Sequence, residues 1–239
     1  MDTAGYVALS RQKGLAEELQ TVANNIANMA TVGFKREGVV FAEMVEALDA
    51  QGGSVAMTEA HARVTSHMQG ALEATGGSFD LAIEGEGFFQ VETPAGERLT
   101  RAGSYSPDAN GELVSPQGFR LLDAGGAPIF VPPDATDVRI AGDGTVTAGG
   151  VPVTQIGLVT VENRADLTRE DGVLFRADTP LQAAEGRVLQ GFLEGANVSP
   201  VAEIARMISV QRAYEAGQSL MEREDDRARQ VIRTLGARS

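Results

Sequence analysis

The chain has 239 residues, 43% of them hydrophobic and 22% charged, a globular balance long enough for one or two domains. Its formal net charge of −13 argues against binding along a phosphate backbone, which needs clustered Lys and Arg. The absence of cysteine excludes disulfides, thiolate nucleophiles and cysteine-ligated metals. Aromatic residues make up only 5% and Trp is absent, which predicts thin cores, or helices that complete their burial against other chains.

The first residues do not read as a secretory signal. Asp2 stands where a positive region belongs, and Arg11, Lys13, Glu17 and Glu18 interrupt any apolar run. No window approaches the roughly 18 consecutive apolar residues of a membrane span. Residues 2–30 read as one helix. Ala8, Leu15, Leu19, Val22, Ile26 and Met29 follow the 3-4 spacing of a helical seam, with Gln12 filling one position. Asp2 or Thr3 can cap its start and Gly33 can stop it. Gly14 weakens the middle by about 1 kcal/mol relative to Ala. Asn24, Asn25 and Asn28 are poor helix formers, because their side chains compete for backbone hydrogen bonds.

Residues 34–77 give a mixed signal and read as a partly extended connector, with Gln51-Gly52-Gly53-Ser54 as a flexible loop. From about Phe79 to Gly191 the period becomes two. Asp80-Leu81-Ala82-Ile83-Glu84 alternates, and Phe88-Phe89-Gln90-Val91 follows Gly85-Glu86-Gly87, read as a hairpin turn. Asn110-Gly111 and Asp143-Gly144 are the dipeptides of two-residue hairpin turns, in which both central residues have φ > 0. Val151 to Val161 is the longest β-rich run. Ser199-Pro200 then sets an N-cap and a first-turn proline. The helix that follows reaches about Leu235, with Met207, Val210, Tyr214, Gly217, Met221, Ala228, Val231 and Leu235 at 3-4 spacing. Ile204 and Ile208 widen its apolar face, and Glu224 breaches the seam.

The expected fold is therefore α+β. Long N- and C-terminal helices pair as a coiled-coil-like domain around a central antiparallel β-rich, barrel- or sandwich-like domain. The expected division is a terminal helical assembly domain (1–33 with 197–239), a connector (34–77) and a central β-rich domain (78–196).

No constellation for catalysis, cofactor binding or metal binding emerges. Gly85-Glu86-Gly87 lacks the third glycine and the following helix of a dinucleotide loop. Asp108, Asn110 and Glu112 fit an Asn-Gly turn better than a calcium loop. His61 and His67 lie six residues apart, off one helical face, and read as exposed polar residues rather than zinc ligands. Asn197-Val198-Ser199 reads as a cap rather than a glycosylation site. Glu222 to Arg227 is dense in charge, and Glu224 in the seam is placed to face an Arg of another subunit.

Several stretches resemble the bacterial flagellar axial proteins of rod and hook. Asn24-Asn25-Ile26-Ala27-Asn28 with Thr31-Val32-Gly33-Phe34-Lys35 is similar to their N-terminal signature, with Ile26 where Leu is usual. Asp80 to Phe89, Thr100-Arg101-Ala102-Gly103-Ser104-Tyr105, and Gly111 to Val114 with Gly118 resemble the opening of their β-domain, with Leu99 where an aromatic is common. Asn197-Val198-Ser199-Pro200 and Gln211-Arg212-Ala213-Tyr214-Glu215 resemble their C-terminal signature. Arg11 and Gln12 depart from the small residues often found there.

The resemblance implies a structural subunit of the periplasmic rod, most like a proximal-rod member, with a distal-rod paralogue of the FlgG type as the alternative. It implies no enzyme activity and export through the flagellar type III apparatus without signal cleavage. Its implied partners are other rod subunits (proximal rod proteins and a FlgG-like distal rod protein), copies of itself and the export apparatus, with no nucleic acid and no membrane insertion. Subunit-assembly roles are implied for Asn24, Asn25, Asn28, Thr31, Gly33, Phe34, Lys35, Gln211, Arg212, Tyr214 and Glu215. The three asparagines would hydrogen-bond across subunits, or else simply fray the helix end. Gly33 would turn the chain out of the helix, Phe34 would anchor it, and the C-terminal residues would sit in the paired helix. A competing class is a periplasmic binding or hydrolytic β-domain that oligomerises through its helices.

Overall fold

The structure, a computed structural model, describes residues 3–48, 53–133, 135 and 137–236. Asp2, Gln51 and Gly52 lie outside the described residues, as do the side chains of His61, Ala228, Val231 and Leu235. Two compact units divide the chain, one of residues 1–28, 36–66 and 198–239, the other of 29–35 and 67–197. The terminal helices belong to the first unit and most of the β-structure to the second.

In the first unit, helix α1 (Thr3–Ala27), strands β1 (Glu37–Leu48) and β2 (Gly53–Thr65), and helix α2 (Pro200–Gly236) follow in chain order. β1 and β2 form one long antiparallel hairpin with a bulge at Val40/Phe41, so the segment read as a connector holds the two longest strands. An isolated two-stranded ribbon is marginal in water, and this one packs along α1. Ser199 occupies the position before α2, and its carbonyl accepts the Glu203 N–H at 3.0 Å, closing the first helical turn.

The α+β character holds, but the coiled-coil-like pairing of long terminal helices does not. The described residues contain two α-helices, and no interdigitated seam joins them. Of the predicted seam residues with described side chains, Val22 and Val210 are buried among the apolar ones, along with polar Gln12. Leu15, Leu19, Ile26, Met207 and Met221 are half-buried, and Met29 and Glu224 are exposed. The fully buried positions of α1 are instead mostly polar or small: Gln12, Gly14, Glu18, Thr21 and Asn25 beside Val22. The physical reason is that α1 meets α2 through hydrogen bonds and ion pairs while also lying on the β1–β2 hairpin. A 3-4 count of apolar residues does not register such a face.

The second unit contains β3 (Leu72–Ala74), β4 (Leu81–Glu84), β5 (Phe88–Thr93), β6 (Gly96–Thr100), β7 (Ser106–Pro107), β8 (Leu113–Val114) and β9 (Arg120–Leu121). It continues with β10 (Val138–Ile140), β11 (Thr145–Ala148), β12 (Val151–Gln155), β13 (Leu158–Thr160), β14 (Leu167–Asp171), β15 (Leu174–Ala177), β16 (Gln182–Ala183), β17 (Arg187–Gln190) and β18 (Phe192–Glu194). All the pairings are antiparallel. A nine-stranded sheet runs β14-β15-β6-β5-β9-β8-β7, with β13 and β16 attached. β10-β11-β12, β17-β4 and β18-β3 form smaller sheets.

β5 organises this unit. Successive strand residues point to opposite faces. Phe89 accordingly enters a core with Leu81, Ile83, Leu113, Leu121, Ile129 and Val146, while Phe88 enters a second core with Leu99, Val161, Leu167 and Phe175.

Three turn and strand expectations are corrected here. Gly85-Glu86-Gly87 is not a hairpin turn: β4 pairs with β17 and β5 with β6, β9 and β13, so the segment crosses between sheets. At Asn110-Gly111 and Asp143-Gly144 only the glycines have positive φ, 84° and 87°. The Gly111 N–H bonds Asp108 O and the Gly144 N–H bonds Ala141 O. Each loop is thus a turn closed by one left-handed glycine, the wider hairpin connection, and not a two-residue turn. The Val151–Val161 run, read as the longest β-rich one, holds β12 and β13 in two different sheets, and the longer strands are β1 and β2.

Candidate functional site

Within the second unit the end of the N-terminal signature, Thr31 to Lys35, folds into a dense polar joint. The turn after α1 places Gly33 at φ 71°, and its N–H donates to Glu194 O at 2.7 Å. A Cβ at Gly33 would stand 2.3 Å from Ala102 N, so backbone passes where a side chain would be. Phe34 is buried, and the Arg169 guanidinium stacks 4.7 Å from its ring centroid and 4.9 Å from that of Phe175. Arg169 also donates to the Lys35 carbonyl.

Lys35 is 1% exposed and Glu194 0%, which makes their pairing obligatory rather than decorative. Lys35 Nζ donates to Glu194 Oε1 at 2.5 Å and to Met68 O at 2.8 Å. Gly70 N–H donates to the same carboxylate oxygen at 2.9 Å, and Arg101 Nη1 to Oε2 at 3.1 Å. Arg101 reaches on to Gly85 O at 2.7 Å and lies over the Phe88 ring. One buried carboxylate therefore ties together segments at 35, 70 and 101. Burial pushes the Lys35 ammonium below its ordinary pKa, opposed by the Glu194 carboxylate, and burial likewise lowers Arg101.

His67, expected to be exposed, packs against the Phe88 and Phe175 rings at centroid distances of 6.1 and 5.6 Å. Its Nδ1 is buried without a hydrogen-bond partner among the described residues. Burial first, then the positive charges of Arg164, Lys35, Arg169 and Arg101, pushes it down to about 4.

Within the first unit a second polar set joins α1 to α2. Gln12 Nε2 donates to Tyr214 O at 2.9 Å, and Arg206 Nη2 reaches Glu18 Oε1 at 2.5 Å. Asn25 Nδ2 donates to Glu203 Oε2 at 3.3 Å and to Glu37 O at 2.8 Å, while Glu37 N–H donates back to Asn25 Oδ1 at 2.9 Å. Arg36 Nε donates to the buried Glu203. Positions rise along α1 as they fall along α2, so the helices run antiparallel.

The structure therefore divides the eleven predicted residues. Asn25, Gly33, Phe34 and Lys35 are buried inside the chain; Asn24, Gln211, Arg212 and Glu215 are exposed; Asn28, Thr31 and Tyr214 are half-buried. Asn24 and Asn28 bond each other, Asn28 Nδ2 to Asn24 Oδ1 at 3.1 Å. Glu194, Glu203, Glu37, Glu18 and Arg169 carry the joints and were not singled out from sequence. An acidic residue in a short strand or first helical turn has no local signal that separates it from a solvated one.

Three family models match the chain: "Flagella basal body rod protein" over residues 1–35, "Flagellar hook protein FlgE/F/G D1 domain" over 82–148, and "Flagellar basal body rod FlgEFG protein C-terminal" over 189–234. The chain is 38% identical over 244 residues to the flagellar basal-body rod protein FlgF of Caulobacter vibrioides, covering 99% of both. It is 38% identical over 243 residues to that of Mesorhizobium japonicum, covering 100% of both. The flagellar basal-body rod protein FlgG of Bacillus subtilis matches at 31% over 259 residues, 95% of this chain and 97% of the relative.

The chain belongs to the flagellar basal-body rod protein family. It is a structural subunit of the flagellar basal body, more similar to these FlgF sequences than to this FlgG. In this rod protein the buried joint draws on all three matched segments: Lys35 closes the first, Arg101 lies in the second and Glu194 in the third.

Proposed function

We propose that this rod subunit works in the proximal rod, between proximal rod proteins and a FlgG-like distal protein, helping to form a hollow shaft that carries motor torque to the hook. In this reading it reaches the periplasm through the flagellar type III export apparatus, with no signal cleaved. Residues 1–33 and 197–239 act in assembly, 78–196 is the β-rich domain, and 34–77 links them in sequence. Asn24, Gln211, Arg212 and Glu215 face neighbouring subunits, while Asn25, Gly33, Phe34 and Lys35 fix the exit of the chain from α1. Asn28, Thr31 and Tyr214 stand between these groups.

The observation that carries the reading is full-length similarity to FlgF sequences. It is supported by helices that leave large apolar side chains uncovered: Val201 is 80% exposed, Ile204 50%, Ile208 45% and Leu220 49%. Such surface on a charged helix is normally covered by a partner. Deletion of the gene tests the proposal. Cells should lose flagella while early rod assembly persists, with motility restored by the intact gene; a deletion strain that still builds a normal flagellum would remove the reading.

A further inference from the structure

We propose that a groove between α1 and α2 receives the acidic stretch Glu222–Asp226 of a second copy of this chain. The inference rests on the assembly reading above and names the partner of its helical region. The groove has a volume of about 300 Å³ and is lined by Ala8, Leu15, Ala213, Gly217 and the two arginines Arg11 and Arg223. Small residues leave room for an approaching helix.

The charges choose the occupant. On a chain of net charge −13, Arg11 and Arg223 make no ion pair with any described residue; Arg223 Nε bonds only to Ser219 O of its own helix. Further along α2, Arg227 takes Glu224 at 2.8 Å and Arg229 takes Asp225 at 2.7 Å. Glu222 and Asp226 remain exposed and without an ion pair among the described residues. They are four residues apart and so share one helix face. Two cations at a groove and two carboxylates on a helix face, each without an ion pair among the described residues, are complementary between copies. Arg223 of the groove and Asp226 of the acidic face are three residues apart on α2, so the two surfaces adjoin on each copy. Glu224, the breach in the predicted seam, is satisfied within its own helix, so Glu222 and Asp226 take the intersubunit role expected of it.

The chain has no cysteine, which allows a direct test with full-length protein. One variant carries Ala216→Cys in the wall of the groove and a second carries Gln230→Cys, one turn beyond Asp226. Mixed and oxidised, they should form the mixed disulfide dimer well above a control pair with Thr145→Cys in place of Gln230→Cys. Adding Arg11→Glu and Arg223→Glu to the groove variant should lower its yield about tenfold, because like charges then face each other. Adding Glu222→Lys and Asp226→Lys to the other variant should restore it. Far-UV circular dichroism confirms that each variant keeps its helices. A yield at control level, or one that charge reversal lowers and the reciprocal reversal does not restore, overturns the proposal. A deletion strain with normal flagella would remove the rod reading without touching the cross-link, and a flagella-less deletion strain with no cross-link would remove the groove assignment alone.

Discussion

At the scale of single residues, Glu194 is the position on which the second unit's joint depends. Its carboxylate accepts from Lys35, Arg101 and Gly70. Glu194→Gln leaves two buried cations without a counter-charge, and removing one partner of a buried pair costs about 3–5 kcal/mol. Urea unfolding followed by tyrosine fluorescence should show a lower midpoint, and Lys35→Met in the same chain should recover part of the loss. Gly33 fails differently. Gly33→Ala combines a strained φ with a Cβ against the Ala102 backbone, and the same measurement should register a loss of at least about 2 kcal/mol.

His67 sets the pH response of the same joint. Its folded pKa of about 4 lies below its ordinary 6.5, so between these values the unfolded chain binds more protons at this site than the folded one. Its contribution is complete above about pH 6.5 and is lost as pH falls toward 4. A shift of this size corresponds to about 3 kcal/mol, or about 1–2 kcal/mol once the ring's partial exposure to solvent is allowed for. Unfolding of the parent chain should therefore steepen between pH 6.5 and 4 relative to His67→Phe, whose profile lacks this component.

At the scale of elements, α1 and α2 meet through polar groups, and Gly217 shows how closely. A Cβ there would lie 2.2 Å from Gln12 Nε2, the atom that donates to Tyr214 O. Gly217→Ala gains up to about 1 kcal/mol of helix propensity but displaces Gln12 from its acceptor. Alone it should be neutral or destabilising in helix melting at 222 nm. In a Gln12→Ala background the same substitution should raise the melting temperature, a coupling that a double-mutant cycle measures directly. The β1–β2 hairpin depends on α1 in a comparable way: Asn25 bonds Glu37 at both backbone N–H and C=O, so an asparagine that weakens its helix also fixes where the first strand begins.

At the scale of the whole molecule, the two units differ in what holds them together. The second contains both apolar cores. Among the described residues the first buries Val22, Val198 and Val210 as its apolar members, against Gln12, Glu18, Thr21, Asn25, Glu37 and Glu203. Hydrophobic burial is the main favourable contribution to folding, so the first unit should be the weaker in the monomer. Limited proteolysis of the full chain should remove the terminal helices first and leave a resistant fragment close to residues 67–197. Equal resistance of both units would contradict this.

The sequence by itself determined the α+β class, the positions of both helices, the β-rich middle and the membership in the rod family. Period, caps, glycine stops and signature stretches are local properties, and Pro200, Gly33 and the Leu81–Ile83 alternation could be read without knowing a neighbour. Only the tertiary structure decided what those elements touch. The long hairpin at 37–65 hid in a mixed signal. The Gly85-Glu86-Gly87 crossing looked like a hairpin, because strand partners are chosen at a distance. The expected coiled coil gave way to polar joints, because Gln12, Glu18 and Asn25 can be buried only once Tyr214, Arg206 and Glu203, some 180 to 200 residues away, supply their hydrogen bonds.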